Sequence, residues 1–197
     1  MRREGDVGEA VLGEAVLDRL LEYWSSKRAG RIMPERPEID PVEMGPKLLP
    51  HLMITEFHEP GRRVQVRLCG TAAVTRLGCD PTGRRIDAAF NEEFSELLLG
   101  LHREVYRHAT PVFSEWSLGW KDGRGLTLQL LLLPMVLRSL VQGAIPEPVP
   151  AQVLVGLRAQ SASHRTPSWC AEPSLAQSRE TRRIVFVEFA CRHRASA

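Results

Sequence analysis

The residues that could hold a metal or act as nucleophiles are scattered along this chain rather than gathered. Its four cysteines, Cys69, Cys79, Cys170 and Cys191, form no C-x-x-C pair, and no histidine stands at finger-like spacing from two of them. They are expected to be buried or idle thiols in a reducing compartment, and no metal site is predicted. Ser95, Ser114 and Ser117 lack the glycine-flanked setting of a nucleophile elbow, and the chain has neither a Gly-rich phosphate loop nor H-E-x-x-H. The residue types therefore predict no catalytic site.

Basic residues cluster locally at Arg62-Arg63, Arg84-Arg85, Arg182-Arg183 and Arg192-His193-Arg194. The whole chain carries 26 Lys+Arg against 24 Asp+Glu, a net charge of +2. That balance lacks the broad positive field a nucleic-acid binder needs, so the pairs read as solvated faces. The longest apolar stretch, Leu126 to Leu137, is broken by Gln129 and Pro134. It falls short of the roughly 20 residues of a spanning helix. The N-terminus has acidic residues and glycines where a leader would be apolar. The expectation is a cytoplasmic protein with neither nucleic-acid nor membrane partners. At 197 residues, 43% hydrophobic and 25% charged, one domain with appendages can bury a core without staples.

The elements that position these residues follow from periodicity. Val11 to Trp24 reads as an amphipathic helix whose apolar stripe is widened by Leu17 and Leu21. Such a helix must pack on a sheet or on a second copy. Three prolines between Pro34 and Pro41 forbid regular structure there, and Asp40-Pro41 supplies an N-cap and first turn for a helix to about Leu48. Leu52 to Glu59 and Arg62 to Leu68 read as a hairpin, with Ala72 to Leu77 as a short helix after it. A longer helix runs from the Asn91 cap to His108, its stripe built of Phe94, Leu97, Leu98, Leu101 and Val105. Strands are predicted over Val112 to Trp120, Leu126 to Leu133 and Val153 to Leu157. The outcome is an α+β domain: a five-stranded antiparallel sheet, helices on one face, and an N-terminal amphipathic helix. A flexible N-terminus over 1–10, a domain over 11–157 and a divergent or disordered tail over 158–197 complete it, with Ile184 to Phe189 able to form a stray strand.

Ordered motifs along this framework add a family. Tyr23-Trp24, Gly30-Arg31, Pro34-Glu35-Arg36 and Asp40-Pro41 are followed by Leu49-Pro50, Arg67-Leu68-Cys69-Gly70-Thr71 and Gly78-Cys79-Asp80-Pro81-Thr82-Gly83-Arg84. In this series, over roughly residues 15 to 135, the chain resembles a bacterial PAS subfamily of stand-alone proteins common in alphaproteobacteria. The resemblance implies a sensory or signalling domain. Among the motif residues, Gly70, Gly78 and Gly83 suit positive φ or close backbone approach. Thr71 closes the strand-end motif. Arg67 and Arg84 suit bridges to Asp80, Asp87 or the carboxylates near Asp40, and Arg36 suits a carboxylate pair that clamps its proline-rich segment.

PAS domains often hold small molecules, which the residues test one by one. A haem needs an axial ligand; His108, near Leu101 and Val105, is the nearest candidate, with His102 at the flank of the stripe. A histidine ending a helix is favoured there anyway, so haem is not supported. Flavin photoreceptors of the superfamily use Gly-Arg-Asn-Cys, where this chain has Gly83-Arg84-Arg85-Ile86, so a flavin adduct is not supported either. Two readings stay open. In the first, Leu68, Phe94, Leu98, Val105, Phe113 and Leu128 line an apolar cavity whose ligand, or a signalling partner protein, acts through the N-terminal helix. In the second, the chain is a ligand-free module that homodimerises through Val16, Leu20 and Trp24.

Overall fold

The computed structural model describes residues 15–59, 62–119, 125–137, 149–161 and 178–186. Its first helix, α1 (Ala15–Arg28), carries Asp18 in its first turn and Lys27 and Arg28 in its last, complementing the helix dipole. It ends where the backbone turns left-handed at Ala29 and Gly30. A 3₁₀ turn over Arg36–Glu38 leads to α2 (Pro41–Leu48), which starts where the sequence predicts, with the Asp40 carboxylate accepting from the Val42 amide.

After a second 3₁₀ turn, Leu49–His51, come β1 (Leu52–Glu59) and β2 (Arg63–Cys69). The helices α3 (Thr71–Leu77), α4 (Ile86–Ala89) and α5 (Glu92–His108) cross to β3 (Val112–Gly119). The chain continues through β4 (Gly125–Met135), β5 (Gln152–Ser161) and β6 (Ser178–Phe186). All neighbouring strands are antiparallel, in the order β2-β1-β5-β4-β3-β6.

The expected α+β class and the strands β1 to β5 are therefore present, with two additions. The first is β6, which pairs with β3 from Val112 opposite Phe186 to Gly119 opposite Ser178. The segment 158–197, expected as a divergent or disordered tail, supplies this strand, and the expected boundary at 157 falls inside β5. Residues 1–10, expected as a flexible N-terminus, lie outside the described residues.

The second addition is a second helical layer. Leu126, Leu128, Leu130 and Leu132 of β4 pack with α3, α4 and α5 on one face. Leu131, Leu133 and Met135, alternating with them, pack with α1 and α2 on the other. Both faces of the sheet are thus closed, which is what a continuous apolar strand demands.

On the second face, Leu17, Leu20 and Trp24 of α1 are completely buried. Full burial of each such side chain is worth about 1.5–3 kcal/mol, far more than the surface ion pair between Lys27 and Glu43 can add. Apolar contact therefore holds α1 to the sheet. Gly156 of β5 makes the close approach possible, since a Cβ there would stand 2.7 Å from Leu20 Cδ2 and 2.8 Å from Leu17 Cδ2. Leu20 and Trp24, expected to face a second copy, instead serve their own chain's core; Val16 packs at its margin.

Candidate functional site

The proline-rich stretch before α2 is held to the sheet by backbone. The Arg36 amide donates to the Val136 carbonyl at 2.7 Å, and the Val136 amide donates to Pro34 at 3.1 Å. Glu38 then organises the turn: it accepts from the Glu35 amide at 2.7 Å and from Arg31 Nη2 at 2.7 and 2.6 Å. The Arg31 guanidinium holds the Glu38 carboxyl below its ordinary range. Arg36 behaves differently from expectation. Its Nη1 donates to the Ile39 carbonyl at 3.0 Å, and it forms no ion pair among the described residues.

This segment forms one wall of a cleft of about 370 Å³ at the β2–β1 end of the sheet. Arg36, Pro41 and Met44 line that wall, and Leu49 and Pro50 lie at one end. Leu52 and Ile54 of β1 line the floor, with Leu68, Cys69, Gly70 and Thr71 opposite. Arg36 is the only charged residue among these. Gly70 is required by proximity: a Cβ would come within 2.6 Å of the Pro50 carbonyl oxygen and nearer still to that of Leu49. Burial pushes the free Cys69 thiol up to about 12, so it is a poor nucleophile. Cys79 is disulfide-bonded, so the expectation of idle thiols does not hold there.

The same wall is latched to α1. The Asp40 amide donates to the Tyr23 hydroxyl at 2.8 Å, and that hydroxyl donates to the Asp40 carbonyl at 3.2 Å. Partial burial raises the Tyr23 pKa, keeping the hydroxyl a donor. Lys27 pairs with Glu43 one turn further along. Trp24 Nε1 donates to the Pro134 carbonyl at 2.8 Å, fixing the helix over β4.

The cavity expected from apolar residues does not assemble. Phe94, Leu98, Val105 and Leu128 are core between α5 and the sheet, with at most 1% exposure. Phe113 points to the other face, into the α1 cluster. Only Leu68, 47% exposed, lines the cleft. Of the motif residues, Arg36, Gly70 and Thr71 meet at the cleft, with Asp40 beside it capping α2.

Gly83 and Arg84 do other work. They cover the β2 edge, the Gly83 amide donating to Val66 O at 2.8 Å and the Val66 amide to Arg84 O at 2.9 Å. Gly83 has the positive φ expected of it, at 79°. The Arg84 side chain donates to the Ala88 carbonyl instead of bridging to a carboxylate. Arg67 pairs with Glu56 at 3.1 Å, a partner the sequence reading did not name.

Of the two helix histidines, His108 is the solvated helix end, while His102, expected at the flank of the apolar stripe, is the buried one. His108 is exposed beside Glu104, 3.5 Å away. His102 is completely buried, Nδ1 2.7 Å from the Leu98 carbonyl and Nε2 2.8 Å from Thr55 Oγ1. A carbonyl at Nδ1 places the ring proton there and leaves Nε2 to accept from the threonine. Burial lowers the His102 pKa to about 4, so it stays neutral. Of the serines, Ser95 donates to Ile86 O and Phe90 O, and Ser114 is wholly buried.

A family model described as PAS domain matches residues 14–145. The chain belongs to the PAS domain family. PAS domains are sensory or interaction modules, and the matched stretch contains the cleft and both of its latches. The last two strands, β5 and β6, lie beyond it. Among curated proteins none matches this chain. No helix among the described residues is long and apolar enough to cross a membrane.

Proposed function

We propose that this PAS domain is a sensor without chemistry of its own, in which filling the cleft at Arg36 and Leu68 is relayed to the C-terminal half of α1. One observation carries the reading. Arg36, Pro41 and Met44 line a wall of the cleft, and their neighbours Asp40 and Glu43 in the same segment are bonded to α1 through Tyr23 and Lys27.

A group entering the cleft presses on Pro41 and Met44, and the displacement is felt where Tyr23 and Lys27 grip that wall. Leu17 and Leu20 remain fixed over Gly156, so α1 adjusts at its far end rather than leaving the sheet. A signalling partner that reads α1 would then sense occupancy. The motif series shared with the bacterial PAS subfamily supports this reading, because Arg36, Gly70 and Thr71, distant in sequence, line one cleft.

Dimerisation through α1 has less support, since Leu20 and Trp24 have no exposed surface to offer. The test uses a side chain as the occupant. Leu68→Trp fills the cleft from an exposed position, and amide exchange is then measured along α1. Altered protection over residues 23–28 with unchanged protection near Leu17 is expected. Unchanged exchange along the whole helix would refute the relay.

A further inference from the structure

We infer that the cleft takes a small amphipathic monoanion, a carboxylate carried on a short aliphatic chain, with the carboxylate on Arg36. The inference rests on the relay reading only for its consequence, not for the binding itself.

The cleft has the composition of such a site. Pro41, Met44, Leu52, Ile54 and Leu68 give it an apolar lining, and no acidic residue lines it. Its volume of about 370 Å³ falls at the low end of the range for small-molecule pockets, roughly 300–1,000 Å³. Arg36 is its only cation, half-buried, with Nη1 committed to the Ile39 carbonyl and no ion pair among the described residues. That bond orients the guanidinium and leaves its other N–H groups for the fork geometry that matches a carboxylate. An uncharged apolar ligand would leave the guanidinium desolvated against hydrocarbon, and a dianion would find one cation for two charges. Thr71 is on the same lining and is a residue type that carries one neutral hydrogen-bonding group.

Octanoate titrated into the full chain, followed by backbone amide shifts, tests this, with 1-octanol as the uncharged probe of equal chain length. Octanoate is expected to bind with shifts at Arg36, Met44 and residues 68–71, and more tightly than octanol. Arg36→Gln is expected to weaken octanoate at least tenfold and to remove its advantage over octanol.

Because Arg36 also holds the Ile39 carbonyl, Leu68→Glu provides a second variant at an exposed position. Its carboxylate is expected to abolish octanoate binding. Octanol binding as tightly as octanoate to the unaltered chain, shifts confined to α5, or no octanoate binding in the millimolar range would each overturn the inference. Any of these, with Leu68→Trp still altering α1, would remove the ligand class and leave the relay standing.

Discussion

Tyr23 and Asp40, on α1 and at the cap of α2, exchange two hydrogen bonds through one hydroxyl: it accepts from the Asp40 amide at 2.8 Å and donates to the Asp40 carbonyl at 3.2 Å. The Asp40 carboxylate is thereby left to cap α2 by accepting from Val42 at 2.8 Å. A single phenol thus ties the sheet-anchored helix to the wall of the cleft.

Tyr23→Phe removes this tie while keeping the ring. Two half-buried backbone groups lose their partner, so stability should fall by about 1–2 kcal/mol in urea unfolding. Exchange should rise at Asp40 and over residues 23–28, with little change at Leu17 and Leu20. A loss of protection spread evenly along α1 would mean that Tyr23 supports the helix as a whole.

His102 gives the fold an acid limit. Its pKa is lowered from 6.5 to about 4 by burial, so the unfolded chain takes up this proton first as pH falls. Its contribution is complete above about pH 6.5 and is lost progressively as pH falls toward 4. His102→Leu should cost stability at neutral pH by removing the ring's bonds to Thr55 Oγ1, which is left with its 3.4 Å contact to the Val153 carbonyl, and to the Leu98 carbonyl, which keeps its helix amide. The difference between the two proteins should shrink as pH drops through that window, measured by urea midpoints at matched pH.

Gly70→Ala should destabilise by about 1–3 kcal/mol, because its Cβ meets the Leu49 and Pro50 carbonyl oxygens rather than movable side chains. Thermal unfolding checks the loss. Gly83→Ala is a useful contrast: no atom lies within 4 Å of the added methyl, and its cost should come from positive φ alone, about 1 kcal/mol.

Cys69 should alkylate far more slowly in the folded protein than in urea, because burial pushes its pKa from 9.0 up to about 12 and leaves little thiolate. Peptide mapping after iodoacetamide treatment, with and without urea, reads this directly. Rapid modification of the folded protein would mean that the cleft wall opens at Cys69.

Local chemistry made much of the fold readable. Asp40-Pro41 and Asn91 placed two helix starts because cap and first-turn preferences are set by a few adjacent residues. The sheet's two-sided burial was written in Leu130 to Leu133, whose unbroken apolar run needs cover on both faces, yet the sequence reading took helices on one face only.

The site was less legible. Phe94 and Phe113 share the apolar character of cavity residues, but Phe94 lies on α5 against one face of the sheet, while the register of β3 sends Phe113 to the other. His102 and His108 differ by six positions, and a modest rotation of the helical stripe decides which is buried. β6 was anticipated only in its last residues, since Ser178 to Arg183 carry polar and charged side chains with no apolar alternation. Arg36, by contrast, was visible as a motif residue; only tertiary structure gave it a cleft.

A double-mutant cycle on Leu68→Trp and Tyr23→Phe tests the central claim, that cleft and helix are coupled, most directly. Unfolding free energies of the four proteins yield the interaction between cleft filling and the α1 latch. The account predicts a coupling of at least ~0.5 kcal/mol, with the effect of Leu68→Trp on residues 23–28 lost once Tyr23 is phenylalanine. Strict additivity, to within ~0.3 kcal/mol and with α1 exchange responding to each change separately, would contradict it.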